Sequence, residues 1–403
     1  MPKSRTFWIV AILPLTTIVS HTFGRSTYPL LLPVIRDDIL GSNAEAGLGG
    51  TVIFLAYLTG VTLVTWMSVR FEPLRILQTG VALSVFGLTI LSMAQSLPIL
   101  LLGLAIASAA GAGIWLTAPV IITSGVAAEK RGFVIGLLSG SVGLAYAAVA
   151  GATRLAWDVT GDATLWRPVF AVEAAVALAI LIAVVLQVRP VTGMAEESSK
   201  PPPRLESLQR IPTWLRLTAA YVCFGIVAAG FQSFLAAALE EDAGLARESV
   251  ALVFMGSGLA SVVGAPLTGW LSDRLGRRTA MGAVMTAMGV GSVCVATLNG
   301  PFLALVVVLF GGLWASYPTL TATYVRDHLD QRAFSSAFGV MTMAYGIAAV
   351  IPPLVVGLAA DHFGTFRGVY LGLAAMAGIG AFLVWGLDER RLRETSTAGH
   401  NRS

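Results

Sequence analysis

GAPLTGWLSDR, residues 264–274, repeats GVTLVTWMSVR, residues 60–70, without a gap at an offset of 204. Five positions are identical: Gly60/Gly264, Leu63/Leu267, Trp66/Trp270, Ser68/Ser272 and Arg70/Arg274. A shorter match pairs EKRGF, 129–133, with DQRAF, 330–334, at an offset of 201. Two matches at nearly one offset imply two copies of one unit, laid down in the same order. Between the copies runs RPVTGMAEESSKPPPRLESLQR, 189–210, the one long polar interval of the chain. Its prolines, serines and glutamates carry no apolar period, so it reads as a linker.

Each copy is made of apolar runs. The chain has 403 residues, 56% hydrophobic and 12% charged, with mean hydropathy +0.79. Soluble domains average about 25% charged residues. Runs of about 18 or more apolar residues can cross a bilayer. Six such runs precede the linker: 7–35, 45–67, 74–95, 97–125, 132–153 and 166–188. Six follow it: 213–238, 249–271, 279–298, 301–324, 334–358 and 366–387. The strict alternation of a membrane β-barrel is missing. The expected fold is an all-α polytopic membrane protein with 12 transmembrane helices in two pseudo-symmetric six-helix bundles. The expected divisions are an N-terminal bundle over 1–188, a cytoplasmic linker over 189–212, a C-terminal bundle over 213–388 and a tail over 389–403. The first run is too long for a signal-peptide core and ends in no small-residue cleavage site, so it is expected to be retained.

Charge sets the orientation. With the N-terminus inside, 20 of the 26 Lys and Arg fall on the cytoplasmic side and 5 on the other; Arg25 is the remainder. That asymmetry places both termini in the cytoplasm. The net charge of +4 then reflects topology, with the lipid bilayer as the partner and no nucleic acid. Cys223 and Cys294 lie within apolar runs, lack metal or redox spacing, and read as packing residues. With four histidines and no HExxH, GxSxG or P-loop, the chain offers no enzyme, cofactor or metal chemistry and no ATP-driven pump.

GWLSDRLGRR, 269–278, resembles the signature loop of the major facilitator superfamily, G-x-L-x-D-R-x-G-R-[RK]. The match covers Gly269, Leu271, Asp273, Arg274, Gly276, Arg277 and Arg278. The first-half copy departs from it: Thr65 stands for the glycine, Val69 for the aspartate, and Glu72-Pro73 for Gly-Arg. Any gating role therefore rests on the second copy. The resemblance extends over 7–388. It implies a bacterial inner-membrane secondary transporter, acting as a monomer by alternating access, with its site between the halves near the midplane. It also implies a cytoplasmic latch, in which Asp273 faces the start of the fifth helix and Arg131 is its ion partner. Gly269 would permit close helix contact and Gly276 a tight turn. The alternative is a solvated basic loop that serves only the positive-inside rule.

In this superfamily helices 1, 4, 7 and 10 line the cavity. Helix 1 contains HTFGRSTYPLLLP, 21–33, with a guanidinium inside an apolar run. Arginine at the centre of a membrane helix costs about 2.5–3.5 kcal/mol on insertion scales and normally faces a cavity. Thr17, His21, Arg25 and Tyr28, spaced 4, 4 and 3 apart, fall on one helical face. A planar fork of donors matches a carboxylate, so a small organic anion is the expected solute. The alternative pairs Arg25 with backbone carbonyls or with Glu173 of helix 6. His21, one turn away, could carry a coupling proton for anion–proton symport, or could be a hydrogen-bonded packing residue. The substrate contacts expected are Arg25, Tyr28, Trp115, Gln232, Tyr317 and Tyr345, with Tyr221, Phe224, Phe231, Trp314 and Ser316 as further lining candidates. Helix 5 carries Gly132, Gly136, Gly140 and Gly143, a spacing that permits close helix approach. Antiporters of the superfamily that the chain resembles often carry a Gly-Pro motif in this helix; no proline occurs between Arg131 and Arg167, which weighs against a drug–proton antiporter. Pro352-Pro353 should kink helix 11. The competing readings are a proton-coupled exporter of drugs or hydrophobic metabolites, and a non-transporting membrane sensor.

Overall fold

A computed structural model describes residues 3–124, 126, 131–162, 164–188, 205–314 and 316–387. The linker over 189–204 and the tail from 388 lie outside the described residues, as does the side chain of Arg131. The first half consists of α1 (Lys3–His21), α2 (Thr27–Ile39), α3 (Asn43–Met67), α4 (Pro73–Ser92), α5 (Leu97–Ser124), α6 (Arg131–Thr160) and α7 (Arg167–Gln187). A short α8 (Leu205–Gln209) leads into α9 (Trp214–Ser233), α10 (Leu235–Ala237) and a π-turn over Ala238–Asp242. The second half continues with α11 (Arg247–Leu275), α12 (Arg277–Thr297), α13 (Gly300–Trp314), α14 (Ser316–His328), α15 (Gln331–Val350), α16 (Pro352–Phe363) and α17 (Arg367–Trp385). No strand occurs among the described residues. Eleven helical stretches among them are long and apolar enough to cross a membrane; α1 and α2 together form the remaining passage. Phe86, Val172, Leu186, Phe302 and Phe382 stand exposed on the outside, as expected where the solvent is lipid.

Local chemistry sets the helix ends. The Ser42 Oγ accepts from the Glu45 backbone N–H at 3.2 Å and caps α3. Prolines open the first turns of α4, α7 and α16, where a missing N–H costs nothing. Gly276 alone separates α11 from α12, at φ +95°, a conformation that favours glycine. Pro352-Pro353 divides α15 from α16, as the prolines predict. The run 301–324 falls on α13 and α14, described up to Trp314 and from Ser316. The first run is not the single helix expected over 7–35. It breaks between His21 and Thr27, with Gly24 at φ +70°.

Within the first half α1 packs on α5, α6 and α7, and α4 on α5 and α7. In the second, α9 packs on α15 and α17, and α12 on α17. The halves meet where α6 lies on α11 and where α3 lies on α15 and α16. The repeat relates these two contacts, since α11 is the second-half equivalent of α3 and α15 that of α6. It also recurs in detail: the Arg70 guanidinium sits 4.7 Å over the Trp66 ring, and Arg274 sits 4.0 Å over Trp270.

One end of the molecule is closed. There Arg36 Nη1 meets Glu241 Oε1 at 2.6 Å, and Arg247 Nη2 meets Asp37 Oδ2 at 3.5 Å. Asp361 accepts from the backbone N–H groups of Asn43 and Ala44 at 2.9 and 2.8 Å. Arg154 donates to the Glu248 carbonyl at 2.8 Å. At the other end, which carries the 269–278 loop, a Cβ added to Gly136, Gly140 or Gly269 would meet nothing within 4 Å. The close helix contact expected of Gly269 is therefore absent.

Candidate functional site

The break between α1 and α2 is held from α7. Glu173 is buried, 3% exposed. Its Oε1 accepts from Thr27 Oγ1 at 2.5 Å and its Oε2 from the Gly24 backbone N–H at 3.2 Å. Both donors are neutral. Removing an ion from water costs several kcal/mol; hydrogen bonds to a charged group return about 1.5–3 kcal/mol each. The two quantities are close in size. Glu173 does not pair with Arg25, which removes the main acidic partner that the sequence offered.

Arg25, half-buried in the break, turns toward α3. Its guanidinium carbon lies 4.5 Å from the Tyr57 ring centroid and 5.3 Å from that of Phe54. No carboxylate lies within ion-pair distance of it among the described residues. Cation–π contacts contribute about 0.5–2 kcal/mol, less than the insertion cost of the charge. One guanidinium N–H also donates to the Tyr57 hydroxyl, which leaves the remaining in-plane donors for another partner. Its charge also acts on the hydroxyls of Tyr57 and of Tyr345, on α15. His21 ends α1 with its ring stacked on Trp115 of α5, centroids 4.1 Å apart. Its Nδ1 lies 3.4 Å from Ser20 Oγ, and Tyr57 stands edge-on at 6.3 Å. So Arg25, His21, Trp115 and Tyr57 form one cluster, and Tyr345 closes it from the second half. Beyond Tyr345 come Tyr221 at 5.0 Å and Phe224 at 5.9 Å, both stacked.

The structure does not bring the other candidates to this cluster. Tyr28 is fully buried and donates to the Ala46 carbonyl at 2.7 Å. Thr17 is fully buried and bonds Ser141 Oγ of α6 at 2.8 Å. The one-face reading of Thr17, His21, Arg25 and Tyr28 fails because a 3.6-residue period does not continue through an unwound segment. Tyr317 is fully buried, stacked on Phe224 at 4.5 Å, and its hydroxyl has no hydrogen-bond partner among the described residues. Gln232 lines a different cavity, with Phe231, Trp314, Ser257 and Tyr146. Sequence reasoning missed Phe54 and Tyr57. Their i, i+3 spacing puts them on one face of α3, which was the available signal.

In the 269–278 loop Asp273 is 64% exposed and pairs with Arg277 at 2.5 Å. Arg277 also reaches Asp327 at 3.2 Å and the Ser272 hydroxyl. Arg278 donates to the Leu387 carbonyl at 3.1 Å. The loop is thus engaged within its own half.

The sequence profile of the Major Facilitator Superfamily matches residues 15–237 and 217–402. The chain belongs to the major facilitator superfamily. It is a multi-pass membrane transporter rather than an enzyme, and its superfamily fold recurs in solved structures. The bacterial homologue of the human lysosomal transporter Spinster, inward-facing and occupied, aligns with TM-score 0.76 and 16% identity, covering 96% of this chain and 97% of that one. The nucleoside transporter NupG aligns with TM-score 0.73 and 12% identity over 94% and 98%. A probable sulfoacetate transporter, SauU, of Cupriavidus necator is 24% identical, covering 93% of this chain and 91% of its own length. The cis,cis-muconate transport protein of Acinetobacter baylyi is 28% identical over a shorter stretch, 36% of this chain and 35% of that protein.

Proposed function

We propose that the chain is a proton-coupled symporter of a small organic anion, most simply a carboxylate, by alternating access. The observation that carries this reading is Arg25: a guanidinium at a helix break, seated on two aromatic rings, with no acidic partner among the described residues. The donors not taken by the Tyr57 hydroxyl suit a carboxylate or sulfonate, which can accept two parallel N–H bonds. Trp115, Tyr57 and Tyr345 supply apolar walls with polar tips, a lining that suits the body of a small organic acid. The relatives carrying sulfoacetate and cis,cis-muconate in their names support the same solute class. His21, stacked beside the site, is one titratable group there. The lysine and arginine distribution supports a bacterial inner-membrane location with both termini in the cytoplasm. In that orientation the closed end is external, and the cleft opens to the cytoplasm. The Asp273 loop then latches the cytoplasmic end in the opposite state, and the protein works as a monomer.

A thermal-shift screen on detergent-solubilised protein tests the solute class. The panel is sulfoacetate, cis,cis-muconate, benzoate, neutral sugars and cationic drugs. We expect at least one anion to raise the Tm of wild type and to lose that effect in Arg25→Ala. An anion that stabilises both proteins equally would overturn the assignment to Arg25, and stabilisation by cationic drugs alone would favour the exporter.

A further inference from the structure

We infer that the buried Glu173–Thr27–Thr22 relay, and not only the cavity, binds a proton during the transport cycle. The inference rests on the proton-coupled reading above and names a binding group for its ion. Glu173 lies on α7, and the break in the first span wraps over it. Thr27 Oγ1 lies 2.5 Å from Glu173 Oε1 and 3.2 Å from the backbone carbonyl of Thr22. A hydroxyl has one proton and can serve only one of these acceptors at a time. With Glu173 ionised, Thr27 donates to the carboxylate, and Gly24 N–H donates to its other oxygen. With Glu173 protonated, the new O–H donates to Thr27 Oγ1, and the Thr27 hydroxyl turns to the Thr22 carbonyl. Every polar group of the relay is satisfied in both states, so the site can gain and lose a proton without leaving a buried group unpaired.

The balance is one proton. Glu173 carboxylate takes a proton that water supplies on one side of the membrane, and the acid returns it to water on the other. No heavy-atom bond changes.

The surroundings fit that role. The break packs against Leu88 and Leu91 of α4 and Ala107 of α5. α5 has no titratable residue, and the one basic residue of α4, Arg75, lies in its first turn. On α7 itself Arg167 is held at the closed end by Asp38, 2.7 Å away; Arg36 and Asp37 of α2 are occupied at the same end. His21 borders the break and Arg25 lies in it. Arg25 leaves it toward Phe54 and Tyr57, and His21 toward Trp115. A change in the relay therefore acts on the segment that carries the anion-binding guanidinium, while Arg25 itself is not part of the relay.

Two measurements test it. In proteoliposomes loaded with labelled sulfoacetate or cis,cis-muconate, Glu173→Gln should retain counterflow and lose accumulation driven by a pH gradient, at least tenfold below wild type, with Glu173→Asp recovering part of it. Accumulation by Glu173→Gln at the wild-type level overturns the proposal while leaving the anion site standing. Failure of wild type to exchange any anion strikes the functional reading instead. The second measurement needs no transport. In infrared difference spectra between mildly alkaline and mildly acid conditions, wild type should show a carboxylic-acid C=O band that is missing from Glu173→Gln. Thr27→Val, which keeps the carboxyl but removes its acceptor, should shift that band. No titrating band in wild type, or a band that Thr27→Val leaves unmoved, overturns the proposal.

Discussion

Arg25 is held by rings rather than by acids, and that distinction sets its expected behaviour on substitution. Charge-assisted hydrogen bonds contribute about 1.5–3 kcal/mol, so Arg25→Gln should weaken anion binding roughly tenfold to a hundredfold. Arg25→Lys should recover little of it, because an ammonium lacks the planar fork; isothermal titration with the anion that stabilises wild type checks both. Tyr57→Leu removes one of the two rings beneath the guanidinium and should cost about twofold to fivefold in affinity, the scale of an exposed cation–π contact. Arg25 was legible in the sequence because a lone charge in an apolar run demands an explanation. Tyr28 was misleading for an equally physical reason: helical periodicity gives a face only while the helix lasts. Phe54 and Tyr57 look like ordinary core aromatics until a guanidinium is placed over them.

The proline breaks could be read from composition, since a missing N–H and a ring clash act wherever proline stands. The break at 22–26 could not be read that way. One glycine in a membrane helix is ordinary, and what opens this one is a carboxyl about 150 residues further on. Glycines in α3 also separate two kinds of contact. Gly60 faces the Ala109 backbone of α5, inside one half, whereas Gly47 faces the Pro353 carbonyl and Leu354 of α16, across the halves. Overpacking costs typically 1–3 kcal/mol. Gly60→Val should therefore lower thermal stability by about that amount. Gly47→Val should leave the folded halves intact and part them at the closed end, shifting the open–closed population roughly tenfold. Spin-label distances across that end, compared with melting curves, separate the outcomes; a Gly47→Val protein that only melts earlier would contradict the assignment of the closed end.

At the scale of the molecule, the repeat, the span count and the signature loop were all legible, because each depends on local composition. The conformational state was not, because two arrangements of the same halves share one sequence. The Asp273–Arg277 pair is exposed, and exposed pairs contribute about 0–1 kcal/mol; any gating value of Asp273 must arise when the parted end closes. Asp273→Asn should therefore raise the fraction of molecules open at the loop end, as read by spin labels. The closed end should respond to pH. Burial pushes the Glu240 carboxyl up from its ordinary 4.5, against the pull of Arg247 3.1 Å away. A carboxyl raised in the closed arrangement favours that arrangement while protonated. Its contribution is complete below 4.5 and fades as pH rises through the raised value, so the closed population should fall across that window and become insensitive to it in Glu240→Gln. The most direct test of the transport reading is uptake of labelled sulfoacetate, cis,cis-muconate and benzoate into proteoliposomes under an imposed pH gradient. We expect wild type to accumulate at least one of them and Arg25→Gln to accumulate about tenfold less at the same external concentration; equal accumulation by the two proteins would show that the cargo is not held by this guanidinium.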